Sequence, residues 1–277
     1  MKDSSLPKNR IDVFLDVFQM SWRSLVYISM FLGIFILPTI LVVLFSQMAG
    51  LNILTNINSG NVDEVVNAVS EYYYHNINTI LYLFPCFVIA SFGLAGCSNV
   101  MKKIVWLDRY DFIEAFKQGV QGNIVKIIFN AIILTAIYAI GVLTYCYILF
   151  NDLNPFMQVL LILLSVLIMF FLINVAFFGY SQMVIYTNGL GSYLKNCLIF
   201  SIISFPKSSL VVLLALILVP ISFLFESVVG IVIVYSFYLL IGFGYVLLLF
   251  TLNSHSIFDR LINKEHYPNI YKKGLSS

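Results

Sequence analysis

Charge is scarce in this chain. Fifteen Lys and Arg and thirteen Asp and Glu make up 10% of its 277 residues, against 61% hydrophobic residues and a mean hydropathy of +0.97. Water-soluble domains are about half apolar and about a quarter charged, so a soluble globular fold is excluded. Histidine is rarer still. His75 falls on one side of the membrane implied below and His255 and His266 on the other, about 30 Å away, so the three cannot share a metal. The cysteines are four, Cys86, Cys97, Cys146 and Cys197, with no CxxC or paired spacing, which argues against structural disulfides and zinc alike. HExxH, GxSxG and P-loop patterns are missing as well. The sequence therefore offers no catalytic, cofactor-binding or metal-ligating set, and the expectation is a protein that is not an enzyme and takes no cofactor.

What is abundant is long apolar runs. Crossing a hydrocarbon core of about 30 Å takes about 20 residues of helix, and six stretches qualify: Leu25–Met48, Asn78–Val100, Ile124–Leu149, Phe156–Met183, Ser208–Phe225 and Val228–Leu252. The expected fold is all-α, a polytopic membrane protein of six transmembrane helices joined by short amphipathic elbows. It forms one domain over 1–277, with an amphipathic arm at 1–24, an outer loop at 49–77 and a tail at 253–277. The first run is too long for a signal peptide and ends without a small-residue cleavage site, so it is expected to stay in the protein.

Six spans put every Lys and Arg on one side. The arm holds Lys2, Lys8, Arg10 and Arg23; the second-to-third connection holds Lys102, Lys103, Arg109 and Lys117, with Lys126 just after it; Lys195 and Lys207 follow span four, and Arg260, Lys264, Lys272 and Lys273 follow span six. The other three connections carry only Asp63, Glu64, Glu71, Asp152 and Glu226. Basic residues stay cytoplasmic, so both termini are expected in the cytoplasm of a cell (plasma) membrane protein. Attraction to anionic lipid accounts for that charge, and no nucleic-acid partner is implied.

Amphipathic stripes mark surface helices. In the arm Ile11, Phe14, Leu15, Phe18 and Trp22 share a face. After span two, Asp111 caps a helix with Glu114 in capping-box position and Phe112, Ile113, Phe116 and Val120 on its apolar face. After span four, Leu190, Tyr193, Leu194, Cys197 and Leu198 repeat the pattern, and after span six Ile257, Phe258, Leu261 and Ile262 do so again. In the outer loop Val62, Val65, Val66, Val69 and Tyr73 suggest a helix lying across the bundle end, capped by Asn61. The final residues from Lys272 to Ser277 are expected to be loose.

Within the spans no Asp, Glu, Lys, Arg or His lies deep, which argues against a pump or proton-coupled carrier. The interior polar residues are Asn130, Asn174, Ser91 and Thr135, and Asn130 and Asn174 stand at similar depth, where they could bond across helices or contact a solute. Pro38, Pro85 and Pro220 interrupt spans, and Ala90, Gly93, Ala95 and Gly96 form a surface for close helix approach. Gly93 with Ser98 to Met101, and Gly179 with Ser181 to Met183, precede the two elbows and suggest a weak parallel repeat.

These segments, in order, resemble the YesL family of bacterial membrane proteins. The aromatic lead-in Phe14 to Arg23 enters a span with Leu37-Pro38; Phe92-Gly93-Leu94-Ala95-Gly96 echoes the family's Gly-Pro-Ala-Thr-Ala-Gly type stretch, its Pro-Ala-Thr portion replaced by Leu94-Ala95. Trp106, Asp108, Asp111-Phe112, Phe116-Lys117, Leu194-Lys195-Asn196-Cys197 and Phe205-Pro206-Lys207 echo later elements. The family supplies no catalytic residues. The resemblance implies association with carbohydrate uptake systems of the ABC type, hence an accessory or regulator of a sugar importer whose subunits dock at Phe112, Phe116, Lys117, Tyr193 and Lys195. Glu114-Ala115-Phe116 with Gly119 departs from a permease coupling loop, because the glycine comes one residue early and no Leu-Pro follows. Two alternatives remain beside this: a small-solute transporter in its own right, and a scaffold or sensor with the acidic outer loop as receptor.

Overall fold

The computed structural model describes residues 6–59, 62–217, 233 and 236–276. Its elements are α1 (Arg10–Met20), α2 (Trp22–Ser59), α3 (Val62–Val105), α4 (Phe112–Val120), α5 (Ile124–Phe150), α6 (Pro155–Ile185), α7 (Leu190–Ile203), α8 (Phe205–Ala215) and α9 (Tyr238–His266), with no strand among the described residues. Helices α2, α3, α5, α6 and α9 are long and apolar enough to cross a membrane, and α7 with α8, bent by 88° where they meet, makes a sixth when taken as one span. Ile34, Leu37, Leu41 and Phe45 of α2 stand exposed, as do Phe156, Leu160, Leu163 and Leu167 of α6. Water tolerates contiguous apolar patches of only a few hundred Å², whereas hydrocarbon is the natural solvent for such a belt. The chain is an all-α, multi-pass membrane protein. The expected spans five and six are seen in part; Pro220 and Glu226 lie outside the described residues.

Three elements differ from expectation. The 49–77 segment is not a loop with a helix lying flat: α2 continues to Ser59 and α3 begins at Val62. No Gly or Pro occurs between Val62 and Phe84, so nothing stops the helical period from running into the span. At 38 and 44 residues, these helices are roughly 57 and 66 Å long, about twice the hydrocarbon thickness. Tyr72 packs on Phe150, and Ser46 binds His75 at 3.0 Å and Thr79 at 2.7 Å, so the pair is tied together where it leaves the bundle.

The arm also turns a different face inward. Val13 and Val17 of α1 are buried, with Phe14 and Phe18 edge-on to Tyr245, while Ile11 is 72% exposed. The residues after span six form no separate surface helix. They continue α9, burying Ile257 and Phe258 against Phe178 and Phe200, with π turns at Tyr238–Gly242 and Asp259–Asn263.

The small residues of α3 receive neighbours from within the chain. Phe35 of α2 lies over Gly93, where an added Cβ would stand 2.6 Å from its own, and the ring of Phe116 from α4 covers Gly96. Gly179 of α6 is met by the hydroxyl of Tyr193 from α7 together with the Asn130 amide of α5. Both elbows thus place an aromatic residue against a glycine of the preceding span, Phe116 by its ring and Tyr193 by its hydroxyl.

Candidate functional site: the polar layer at the basic end

The functional geometry gathers where the Lys- and Arg-bearing helix ends meet. Asn9 caps α1 by accepting from Ile11 and Asp12 nitrogens, which directs Arg10 toward the end of α9. The Arg10 guanidinium lies 2.7 Å from the Asp259 carboxylate and also donates to the Lys273 carbonyl at 3.1 Å. The other Asp259 oxygen accepts from Asn263 at 2.8 Å and from the Lys272 backbone nitrogen at 3.2 Å. A π turn brings Asn263 beneath Asp259, an irregularity frequent at functional positions. Tyr186 donates to Asn263; burial first, and then Asp259, push its hydroxyl pKa up.

The tail closes this layer instead of hanging loose. Lys273 pairs with Asp108 at 2.9 Å and lies 4.5 Å from the centre of the Trp106 ring, and Ser276 donates to the Pro7 carbonyl. Lys102 stacks on Trp106 at 5.3 Å and donates to the Val184 carbonyl at 2.6 Å. His255, expected in an open tail, is buried beside Trp106 with neither ring nitrogen bonded to a described residue.

Next to this clamp of Arg10 and Lys273 on Asp259 and Asp108, a polar hollow of about 420 Å³ opens between α3, α4, α5 and the end of α6. Lys102, Lys126, Asn99, Gln118 and Asn123 line it. Asn99 is fixed by donating to the Ala115 carbonyl, and Lys126 sits 5.6 Å from the Tyr193 ring centre. Two cations and several amides in one recess suit a hydroxylated or anionic solute. Among the described residues no group of three His, Cys, Asp or Glu could hold a metal ion.

The expected site residues are dispersed around this layer. Asn130 and Asn174 do not bond each other. Asn130 donates to the Tyr193 hydroxyl at 2.9 Å, drawn there because Gly179 leaves room for both, whereas Asn174 bonds back to the Phe170 carbonyl of its own helix at 3.0 Å. Phe112 and Phe116 are half-buried with their rings edge-on to Phe31, and Tyr193 is only 1% exposed, so these three hold the elbows in place, and Tyr193 offers no docking surface. Lys117 and Lys195 are exposed as expected. Arg10, Asp259, Lys102 and His255 were not singled out by the sequence; the signal was faint, since Asp259 sits on what reads as the polar side of a terminal stripe. Comparison with family models, curated proteins and solved structures finds no match to this chain.

Proposed function

We propose that this protein is a non-catalytic accessory or regulator of carbohydrate uptake of the ABC type, resident in the plasma membrane with its basic end and both termini in the cytoplasm. The segregation of Lys and Arg supports the orientation, and the resemblance to YesL proteins supports the partner class. The observation that carries the reading is the way the elbows are built. Phe116 on Gly96 and Tyr193 on Gly179 lock α4 and α7 from inside, leaving Ile113 and Lys117 on one and Lys195 and Leu198 on the other exposed on the same end. Rigid presentation lowers the ordering cost of association, so docking passes from Phe112, Phe116 and Tyr193 to these outward residues.

The polar hollow favours a second reading, a transporter that admits a small hydroxylated or anionic solute beside Lys102 and Lys126. Photo-crosslinkers at Ile113 and Lys195, used in native lipid, separate the two. Adducts with a permease or nucleotide-binding subunit of an ABC importer support the accessory role. No adduct, together with sugar binding by the purified chain alone, overturns it in favour of transport.

A further inference from the structure

A second recess at the basic end has a different chemistry. A groove of about 780 Å³ runs between α1, α8 and α9. Phe14, Leu214, Tyr245 and Leu249 make its walls apolar, and Lys8, Arg10, Lys207 and Lys272 stand around it. Among the described residues Asp259 is the one acid lining it, and it is already held by Arg10, Asn263 and the Lys272 nitrogen. Among the described residues Lys207 has only a long bond to Ser256 at 3.3 Å, and the Lys272 ammonium lies over the Tyr271 ring. The described rim is therefore net cationic by three charges, with exposed lysines oriented by no acid other than Asp259 among its lining residues.

The groove also has the depth profile of a lipid. Lys207 is in the first turn of α8 and Leu214 lies seven residues on, about 10 Å further along the helix axis. Tyr245 is shared with a neighbouring apolar hollow of about 330 Å³, lined by Phe18, Ile217 and Ile241. Cations at one end and hydrocarbon-like walls leading away from them match a phosphate headgroup joined to an acyl chain. A soluble phosphate would use only the first half.

We propose that this groove binds an anionic phospholipid of the leaflet at the basic end, its phosphate between Lys8, Lys207 and Lys272 and one acyl chain along Leu214 and Tyr245. The test is native mass spectrometry of the purified full chain with phosphatidylglycerol, phosphatidylcholine of the same chains, and glycerol 3-phosphate. Phosphatidylglycerol is retained about tenfold over phosphatidylcholine, and Lys207→Gln with Lys272→Gln removes most of that preference. Lys117→Gln with Lys195→Gln, the same charge loss outside the groove, leaves it intact. Leu214→Trp, which alters no charge, weakens phosphatidylglycerol binding by narrowing the apolar wall. Equal retention of the two lipids, or equal loss in both lysine pairs, overturns the proposal. So does an unchanged Leu214→Trp variant whose site glycerol 3-phosphate fills as well as the lipid does.

Discussion

Arg10 and Asp259 form an ion pair at 2.7 Å across 249 positions of sequence, with each side chain only 12% exposed. Burial of this kind makes the pair costly to break from one side, since the remaining charge keeps its desolvation. Loss of one partner in a fully buried pair costs about 3–5 kcal/mol. Asp259 keeps Asn263 and the Lys272 nitrogen, so Arg10→Ala is expected to cost about 2–3 kcal/mol. Arg10→Met with Asp259→Leu removes both charges and is expected to recover most of that loss. Thermal unfolding in detergent micelles reads both. A single variant within about 0.5 kcal/mol of the parent contradicts the assignment.

Gly119 has no room to grow. A Cβ there would stand 2.6 Å from the Ala95 carbonyl oxygen and 2.8 Å from the Asn99 Cβ. Backbone cannot yield as a side-chain tip can, so Gly119→Ala is expected to lift α4 off α3 at a cost of about 1–3 kcal/mol. Gly191, on α7, has open space around it, and Gly191→Ala should be neutral or stabilise by up to about 1 kcal/mol. The unfolding midpoint of Gly119→Ala is expected to fall while that of Gly191→Ala stays at or above the parent's.

The bond from Asn130 to Tyr193 ties α5 to the elbow α7 within the bundle. Tyr193→Phe leaves the Asn130 nitrogen unpaired and is expected to cost about 0.6–2 kcal/mol. Asn130→Ala in the same background should add less than it costs alone, because the shared bond is lost only once. Additive losses in a double-mutant cycle would contradict the bond.

Spans were legible because hydrophobicity needs no knowledge of neighbours: the runs around Phe45, Leu83, Ile133 and Leu167 declare themselves. Stripes were harder. Phe112 and Phe116 have the same spacing whether their rings rest on lipid headgroups or against Phe31 and the Gly96 notch, and only the fold tells the two apart. In α1 Phe and Trp dominate the apolar stripe, although Val13 and Val17 are the residues buried against the bundle, with Phe14 and Phe18 packed beside them. The clamp was not legible at all, since nothing local to Arg10 points to a partner near the other end of the chain. Nor was the fate of Asn130, which sequence depth paired with Asn174 and the fold pairs with a tyrosine from an elbow.

Orientation is open to direct chemistry. Asn52 is exposed near the far end of α2, and Lys117 and Lys195 are exposed at the basic end. With basic residues retained in the cytoplasm, Asn52→Cys should react with an impermeant maleimide on intact cells. Lys117→Cys and Lys195→Cys should react only after permeabilisation. The reverse pattern would invert the proposed topology and remove the cytoplasmic partner reading with it.

The tail is held by a backbone fit as well as by charge. Gly274 adopts φ +85° and presses against the Val105 carbonyl, between Lys273 on Asp108 and Leu275, which packs against the core shared by α1, α2, α3 and α9. A branched residue there meets two penalties, the left-handed backbone and the carbonyl it would strike. Left-handed backbone alone costs a non-glycine residue about 1–2 kcal/mol, enough to raise the population of the detached tail about five- to thirtyfold. Ser276 also binds Pro7, so release should spread to the arm. Limited trypsin digestion of Gly274→Val is therefore expected to cut faster after Lys272 and Lys273, and then after Lys8 and Arg10. Lys264→Ala, at an exposed position outside the clamp, should digest like the parent apart from its own lost site. Unchanged cleavage of the arm in Gly274→Val would mean that the two termini are not energetically joined.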